Sequence, residues 1–269
     1  MFRIEMNRLF KSRGLYISLF IGCGLALWHF FRWIAPVSRS WDMINVYGKS
    51  TGITLKSAYE VWMHSSLFPT PSFLFLMVLP ILAVLPYGLT YDNDRKSGWI
   101  KNIYVRAKRK RYMKVKLGLA FLSGMLVIML PLLFNFMLAA ASLPLKVPQP
   151  CIGLMRPRNI WCGLFYQNPM CYVALVTLLN GVYGGLMSML AVLLSHSTDY
   201  GFLVGILPFL YHMFLFSLFN LAHYADYAPA HFLSGGVFLN YYAEYVIMGI
   251  VTVAIALIAY RKGTISDVY

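Results

Sequence analysis

Residues 117–142 read LGLAFLSGMLVIMLPLLFNFMLAAAS, a run that carries no charge from end to end. A helix crossing the ~30 Å hydrocarbon layer of a bilayer needs about 20 such residues, and this run exceeds that. Just before it, 91–116 reads YDNDRKSGWIKNIYVRAKRKRYMKVK and holds ten Lys and Arg. An uncharged span flanked by a dense basic loop predicts a membrane helix with that loop on the cytoplasmic side.

Working outward, five more stretches meet the length requirement, roughly 15–36, 71–91, 170–194, 200–222 and 242–260. The chain of 269 residues is 59% apolar and only 12% charged, which excludes a soluble enzyme, a disordered chain and a disulfide scaffold. The fold class is an all-α polytopic membrane protein with six transmembrane helices and both termini cytoplasmic. Residues 15–260 form the membrane domain and 261–269 a cytoplasmic tail. The external loops are 37–70, 143–169 and 223–241. Gly181, Gly184 and Gly185 in the fourth span predict a close helix–helix approach.

The formal net charge of +14 invites a nucleic-acid reading, but the positions of the charges argue otherwise. Four cations lie in 1–14, ten in 91–116 and two in the tail, so sixteen of the 23 fall on one side of a six-span topology. That is the positive-inside bias, and it predicts contact with anionic lipid rather than nucleic acid.

Residues 1–14 predict an interfacial amphipathic helix, with Phe2, Met6, Leu9 and Phe10 on one side and Arg3, Asn7, Arg8 and Lys11 around the other. In the first external loop, Leu55, Tyr59, Trp62 and Met63 repeat at helical spacing and predict an interfacial helix. The second is Pro-rich and predicts turns rather than helix, whereas 223–241 predicts broken, re-entrant helices. Cys151 and Cys162 share one external loop, so they either pair in an oxidising compartment or stay free thiols. The first apolar run has no cleavage pattern of a signal peptide.

Motifs for chemistry are scarce. Gly48-Lys49-Ser50 lacks the glycine five positions upstream that a phosphate loop needs, since Met43 stands there. His223, Asp226 and His231 share a loop without a common metal spacing. In the spans, Asn180, His212 and Glu244 are candidates for a pathway, because polar groups in spans face protein or water. For each of His212 and Glu244 the plainer reading, a hydrogen bond to a neighbouring helix or snorkelling, stays open.

The informative segment is the basic loop. Asp92 and Asp94 precede Ser97-Gly98, where glycine permits a chain reversal. Trp99, Ile100, Ile103 and Tyr104 then give a short helix one apolar edge, followed by Arg106, Lys108, Arg109, Lys110 and Arg111. An anchor needs cations alone, whereas a docking element needs an apolar knob with charges to orient it.

An acid, Gly98, a short helix, Arg106 or Arg109, then Tyr112 and Lys116 resembles the first cytoplasmic loop of ABC type-2 permeases. The layout of the whole chain agrees, while the motif covers about 25 residues. A more typical member has Glu, Gly-Thr and Pro-x-Ser-Arg where this chain has Asp94, Gly98-Trp99 and Val105 to Arg109. The resemblance implies the membrane subunit of an exporter in the bacterial plasma membrane, of the lantibiotic or bacteriocin type. It implies a separate ATPase subunit holding ATP and Mg²⁺, and a second permease, identical or related. This chain itself carries no cofactor and no nucleotide site. The implied coupling residues are Asp94, Gly98, Trp99, Ile103, Arg106 and Arg109. An accessory membrane subunit or, behind it, a membrane-embedded enzyme are the alternatives.

Overall fold

A computed structural model describes residues 2–40, 56–65, 68–106, 108–148, 155, 158–198, 200–235 and 241–265, and no strand occurs among them. Helix α1 spans Phe2–Phe10. Helix α2, Arg13–His29, passes through one π turn, Phe30–Ile34, into α3, Ala35–Arg39. The short α4 (Ala58–Val61) and α5 (Thr70–Val84) follow. Next come α6 (Thr90–Lys96), α7 (Trp99–Arg106) and the long α8 (Arg109–Ser142). Then α9 (Cys162–Gln167), α10 (Pro169–Leu194) and α11 (Gly201–Leu221) precede a 3-10 turn, Ala225–Tyr227. Finally α12 (Pro229–Leu233) leads to α13 (Tyr242–Ile265).

Among the described residues five helical segments are long and apolar enough to cross a membrane: Arg13–Arg39, Arg109–Ser142, Pro169–Leu194, Gly201–Leu221 and Tyr242–Thr264. The described chain therefore has the make-up of an all-α, multi-pass membrane protein. The second expected span, 71–91, departs from this pattern, because α5 ends at Val84 after 15 residues. Fifteen residues rise about 22 Å, short of the hydrocarbon thickness. Pro86 accounts for the stop, since it has no N–H to donate and its ring crowds the carbonyl one turn back. The chain turns over 85–89 and resumes as α6.

Helix α10 is the centre of the bundle and packs most extensively on α8. Small residues set that contact. A Cβ added to Gly124 of α8 would lie 2.6 Å from the carbonyl oxygen of Gly184, and one on Gly184 would lie 2.8 Å from that of Gly124. Gly185 is as tight, with the Phe121 ring 2.5 Å from a Cβ built there. Close backbone approach is how membrane helices gain dispersion energy without a hydrophobic drive. By contrast only 17% of the apolar window of α11, and of α13, is buried. These two helices turn most of their surface outward.

Three further expectations change. The 56–65 segment does not lie along an interface: Tyr59, Trp62 and Met63 are buried in the main core with Phe136 and Leu132 of α8. Leu55 lies outside the described residues. In 143–169, where only turns were expected, α9 forms over Cys162–Gln167. Helix α1 docks through Glu5 and Leu9, both buried, while Phe2 and Phe10 are about half exposed. What the protein buries on α1 is a charge as much as an apolar face.

Candidate functional site

The basic end of the bundle holds the densest polar construction. Gly98 has φ +70, the left-handed conformation that favours glycine, and it reverses the chain between α6 and α7. Helix α7 then splits its apolar edge. Ile100 is fully buried with Tyr87, Tyr91, Tyr112 and Met113, and Ile103 and Tyr104 pack partly on the same cluster. Trp99 faces outward at 47% exposure and Val105 at 88%.

Under that loop lie two acids and two cations. Asp94 accepts from Nη2 and Nη1 of the Arg8 guanidinium, at 2.7 and 3.2 Å, and from the Tyr112 hydroxyl at 2.9 Å. The Lys116 ammonium stands 2.8 Å from the same carboxylate. Lys116 also donates to Glu5 at 3.2 Å and to the Thr90 hydroxyl at 3.1 Å, and lies over the Tyr87 ring at 4.6 Å. Glu5 accepts from Arg8 at 3.0 Å and from the Tyr87 hydroxyl. Lys116 is wholly buried, and Asp94 and Glu5 are each 2% exposed. Burial alone would raise the Asp94 carboxyl, but hydrogen bonds and charge from Arg8 and Lys116 together outweigh it and hold it below its usual value. The four charges sum to zero, which is the condition for tolerating them out of water.

Further ties join the remaining elements to this platform. Arg95 donates to the Thr198 carbonyl at 3.0 Å, linking α6 to the connection between α10 and α11. Tyr91 stacks on His196 of that connection, with centroids 4.4 Å apart. Arg109 lies over the Tyr104 ring at 4.8 Å and donates to the Thr264 carbonyl at 3.4 Å, near the end of α13. Lys262 donates to Ser197 at 3.2 Å. Of the expected coupling residues, Asp94, Gly98, Ile103 and Arg109 thus belong to one construction and Trp99 is its exposed knob. The Arg106 side chain lies outside the described residues. The contributions of Glu5 and Arg8 were missed from sequence, although Tyr112 and Lys116 were singled out.

The expected pathway residues do not meet at one place. Asn180 is fully buried, and its side-chain amide reaches the Val176 carbonyl at 2.9 Å, His64 Nε2 at 3.1 Å and the Leu233 carbonyl at 3.2 Å. It holds the 56–65 segment in place. Asn135 of α8 matches it: its oxygen accepts the Met63 N–H at 2.7 Å while its amide donates to the Ala26 carbonyl at 2.9 Å. His212 is buried, with Nδ1 2.8 Å from the Tyr183 hydroxyl. Glu244 lines a cleft with Tyr183. Tyr183 therefore bonds His212 and shares the lining of a cleft with Glu244, whereas Asn180 is not in that lining.

His231 Nδ1 lies 2.6 Å from the Ala225 carbonyl, which uses the ring within its own loop. Among the described residues no group of three or more His, Cys, Asp and Glu gathers closely enough to hold a metal. Cys151 lies outside the described residues. No protein-family model matches the chain, and no curated protein or solved structure matches it either.

Proposed function

We propose that the chain is the membrane permease subunit of an ATP-binding-cassette exporter, acting with a separate ATPase subunit and a second permease in the bacterial plasma membrane. The basic end then faces the cytoplasm, and the crossing missing from the five long helices is made by α5 with the turn over 85–89 that follows it. The cargo in this reading is hydrophobic or amphipathic, a peptide first of all. ATP and Mg²⁺ belong to the partner.

One observation carries the reading. The loop 91–106 is anchored to α1, α8 and the α10–α11 connection, yet it presents Trp99 and Val105 outward. A segment that only holds lipid needs no rigid underside. A segment that receives force needs one, because a push on Trp99 is lost if the loop yields. Here the push passes through Asp94 to α1 and α8, through Arg95 to α10 and α11, and through Arg109 to α13. Closure of an ATPase pair against Trp99 would tilt those helices together and change access between two permease halves.

The test is purification of the tagged chain in mild detergent, with mass spectrometry of its companions and an ATPase assay. The expected result is a stoichiometric P-loop ATPase that is lost when 97–111 is scrambled. Trp99→Ala should leave the thermal midpoint within about 2 °C, as expected for a half-exposed side chain, and weaken retention of the ATPase. A preparation free of ATPase, reproduced after crosslinking, would overturn the proposal.

A further inference from the structure

Helices α11 and α13 both rest on α10 but leave a gap between themselves. The gap is a cleft of about 220 Å³, floored by Tyr183, Leu186 and Met187 and walled by Tyr211, Phe232 and Val251. It reaches the surface at Tyr211 and Ile247, which are 42% and 57% exposed. Among the described residues that line it, Glu244 carries the one charge.

Glu244 is 5% exposed. Its Oε2 accepts the Tyr241 N–H at 3.2 Å, and its Oε1 is buried without a hydrogen-bond partner. The neighbouring Tyr245 hydroxyl is engaged elsewhere, accepting from Trp161 Nε1 at 2.9 Å and donating to the Phe232 carbonyl at 3.3 Å. An acid walled by apolar groups, with no counter-charge among the described residues lining its cleft, is costly, and acids at membrane depth ordinarily pair or face a pathway. Among the described residues no cation lines the cleft beside it.

We propose that this cleft is a binding site for a cationic amphiphile, whose ammonium meets Glu244 while its apolar body lies among Tyr183, Tyr211 and Phe232. Three features choose the chemistry. A single unpartnered carboxylate oxygen, reached by a turn of the Glu244 side chain, suits a compact ammonium better than a guanidinium fork, which uses both oxygens. The tyrosine rings at the same place attract a cation by their faces. The volume is below the roughly 300–1,000 Å³ of a pocket for a whole drug-sized molecule, so the cleft takes one amine-bearing arm rather than an entire peptide. The site stands by itself; only its identification as a station for exported cargo rests on the permease reading.

The probe is 4-phenylbutylammonium, titrated calorimetrically at pH 8 into the chain in phosphatidylcholine nanodiscs, with 4-phenylbutanol as the neutral counterpart and empty nanodiscs as blank. The ammonium should bind about tenfold more tightly than the alcohol, a difference of about 1.4 kcal/mol. Glu244→Gln should bind both alike. Val251→Trp, at a partly exposed wall position, should weaken both while keeping Glu244. Three results would each overturn the proposal: no saturable binding above the blank, equal binding of both probes by the wild type, or a preference that survives Glu244→Gln. Because the titration needs no ATPase, failure of the permease reading would leave this result untouched.

Discussion

Replacing Lys116 by methionine keeps the apolar stem and removes one charge from a place with no access to water. In the native chain the ammonium serves Asp94 at 2.8 Å and Glu5 at 3.2 Å, and Lys116 is 0% exposed. After the change two buried carboxylates share one guanidinium, and Arg8 is itself more than a third exposed, so water screens what it can offer. Breaking a buried pair by removing one partner costs about 3–5 kcal/mol. The lower end applies, because Arg8, Tyr87 and Tyr112 still donate to the two acids. A loss of about 3 kcal/mol corresponds to a midpoint lower by about 6–12 °C for a chain of this size. Restoring neutrality should recover part of it: Glu5→Gln with Lys116→Met leaves Asp94 against Arg8 alone, and the pair should be more stable than Lys116→Met by itself. The assay is thermal unfolding in detergent, read by the monodisperse fraction on size exclusion. A midpoint for Lys116→Met within 2 °C of wild type, on the order of 1 kcal/mol or less, would refute the reasoning. So would a double variant no better than the single.

The α8–α10 contact gives a paired prediction within one helix. Gly124→Ala places a methyl 2.6 Å from a backbone oxygen and should cost about 1–3 kcal/mol, whereas Gly118→Ala meets nothing within 4 Å and should be neutral or slightly stabilising; thermal midpoints separate them. His196 gives a pH dependence. Burial lowers its pKa, with Arg95 and Lys262 adding to the effect. A depressed pKa means stability that is full above the unfolded value near 6.5 and drains away as pH falls toward the folded one. The midpoint of the wild type should therefore drop between pH 7 and pH 5 by more than that of His196→Phe, and parallel curves would sink the assignment. Asp94 acts in a lower window: its contribution is full above about pH 5 and drains away as pH falls through the usual carboxylate value toward the lowered folded one. The comparison is the Asp94→Asn variant, titrated alongside.

Much of the fold could be read directly. The long apolar runs appear as α2, α8, α10, α11 and α13 near their expected limits, because a membrane span is coded by length and composition alone. The α8–α10 contact was visible in Gly181, Gly184 and Gly185, and the reversal at Gly98 has the left-handed backbone that glycine permits. The break after Val84 was harder. Pro80 and Pro86 look equivalent in sequence, yet α5 carries the first and stops short of the second. Helix α1 misled for a different reason. Apolar periodicity assigns a buried face by hydrophobicity, whereas Glu5 and Arg8 are bought into the structure by partners 86 and 111 positions away. No local pattern reports pairings of that range. One signal was available and passed over: Ser57-Ala58-Tyr59-Glu60 has the spacing of a capping box, and the Ser57 N–H does donate to Glu60 at 2.7 Å.

The two asparagine clamps on 56–65 also bear on the order in which the molecule is completed. Asn135 lies 72 positions after the Met63 N–H it accepts, while Asn180 lies 116 positions after His64, and Gly235, which donates to the His64 carbonyl at 2.8 Å, comes later still. A chain emerging from its N-terminus therefore has to keep Trp62, Met63 and His64 waiting through the making of three long helices. The opposite end follows a different calendar, since Glu5, Arg8, Asp94 and Lys116 are all present once residue 116 has been added. A nascent chain halted after Ser142 would own its complete charge cluster but only one of the two clamps, so the basic end has all its parts before the other end does.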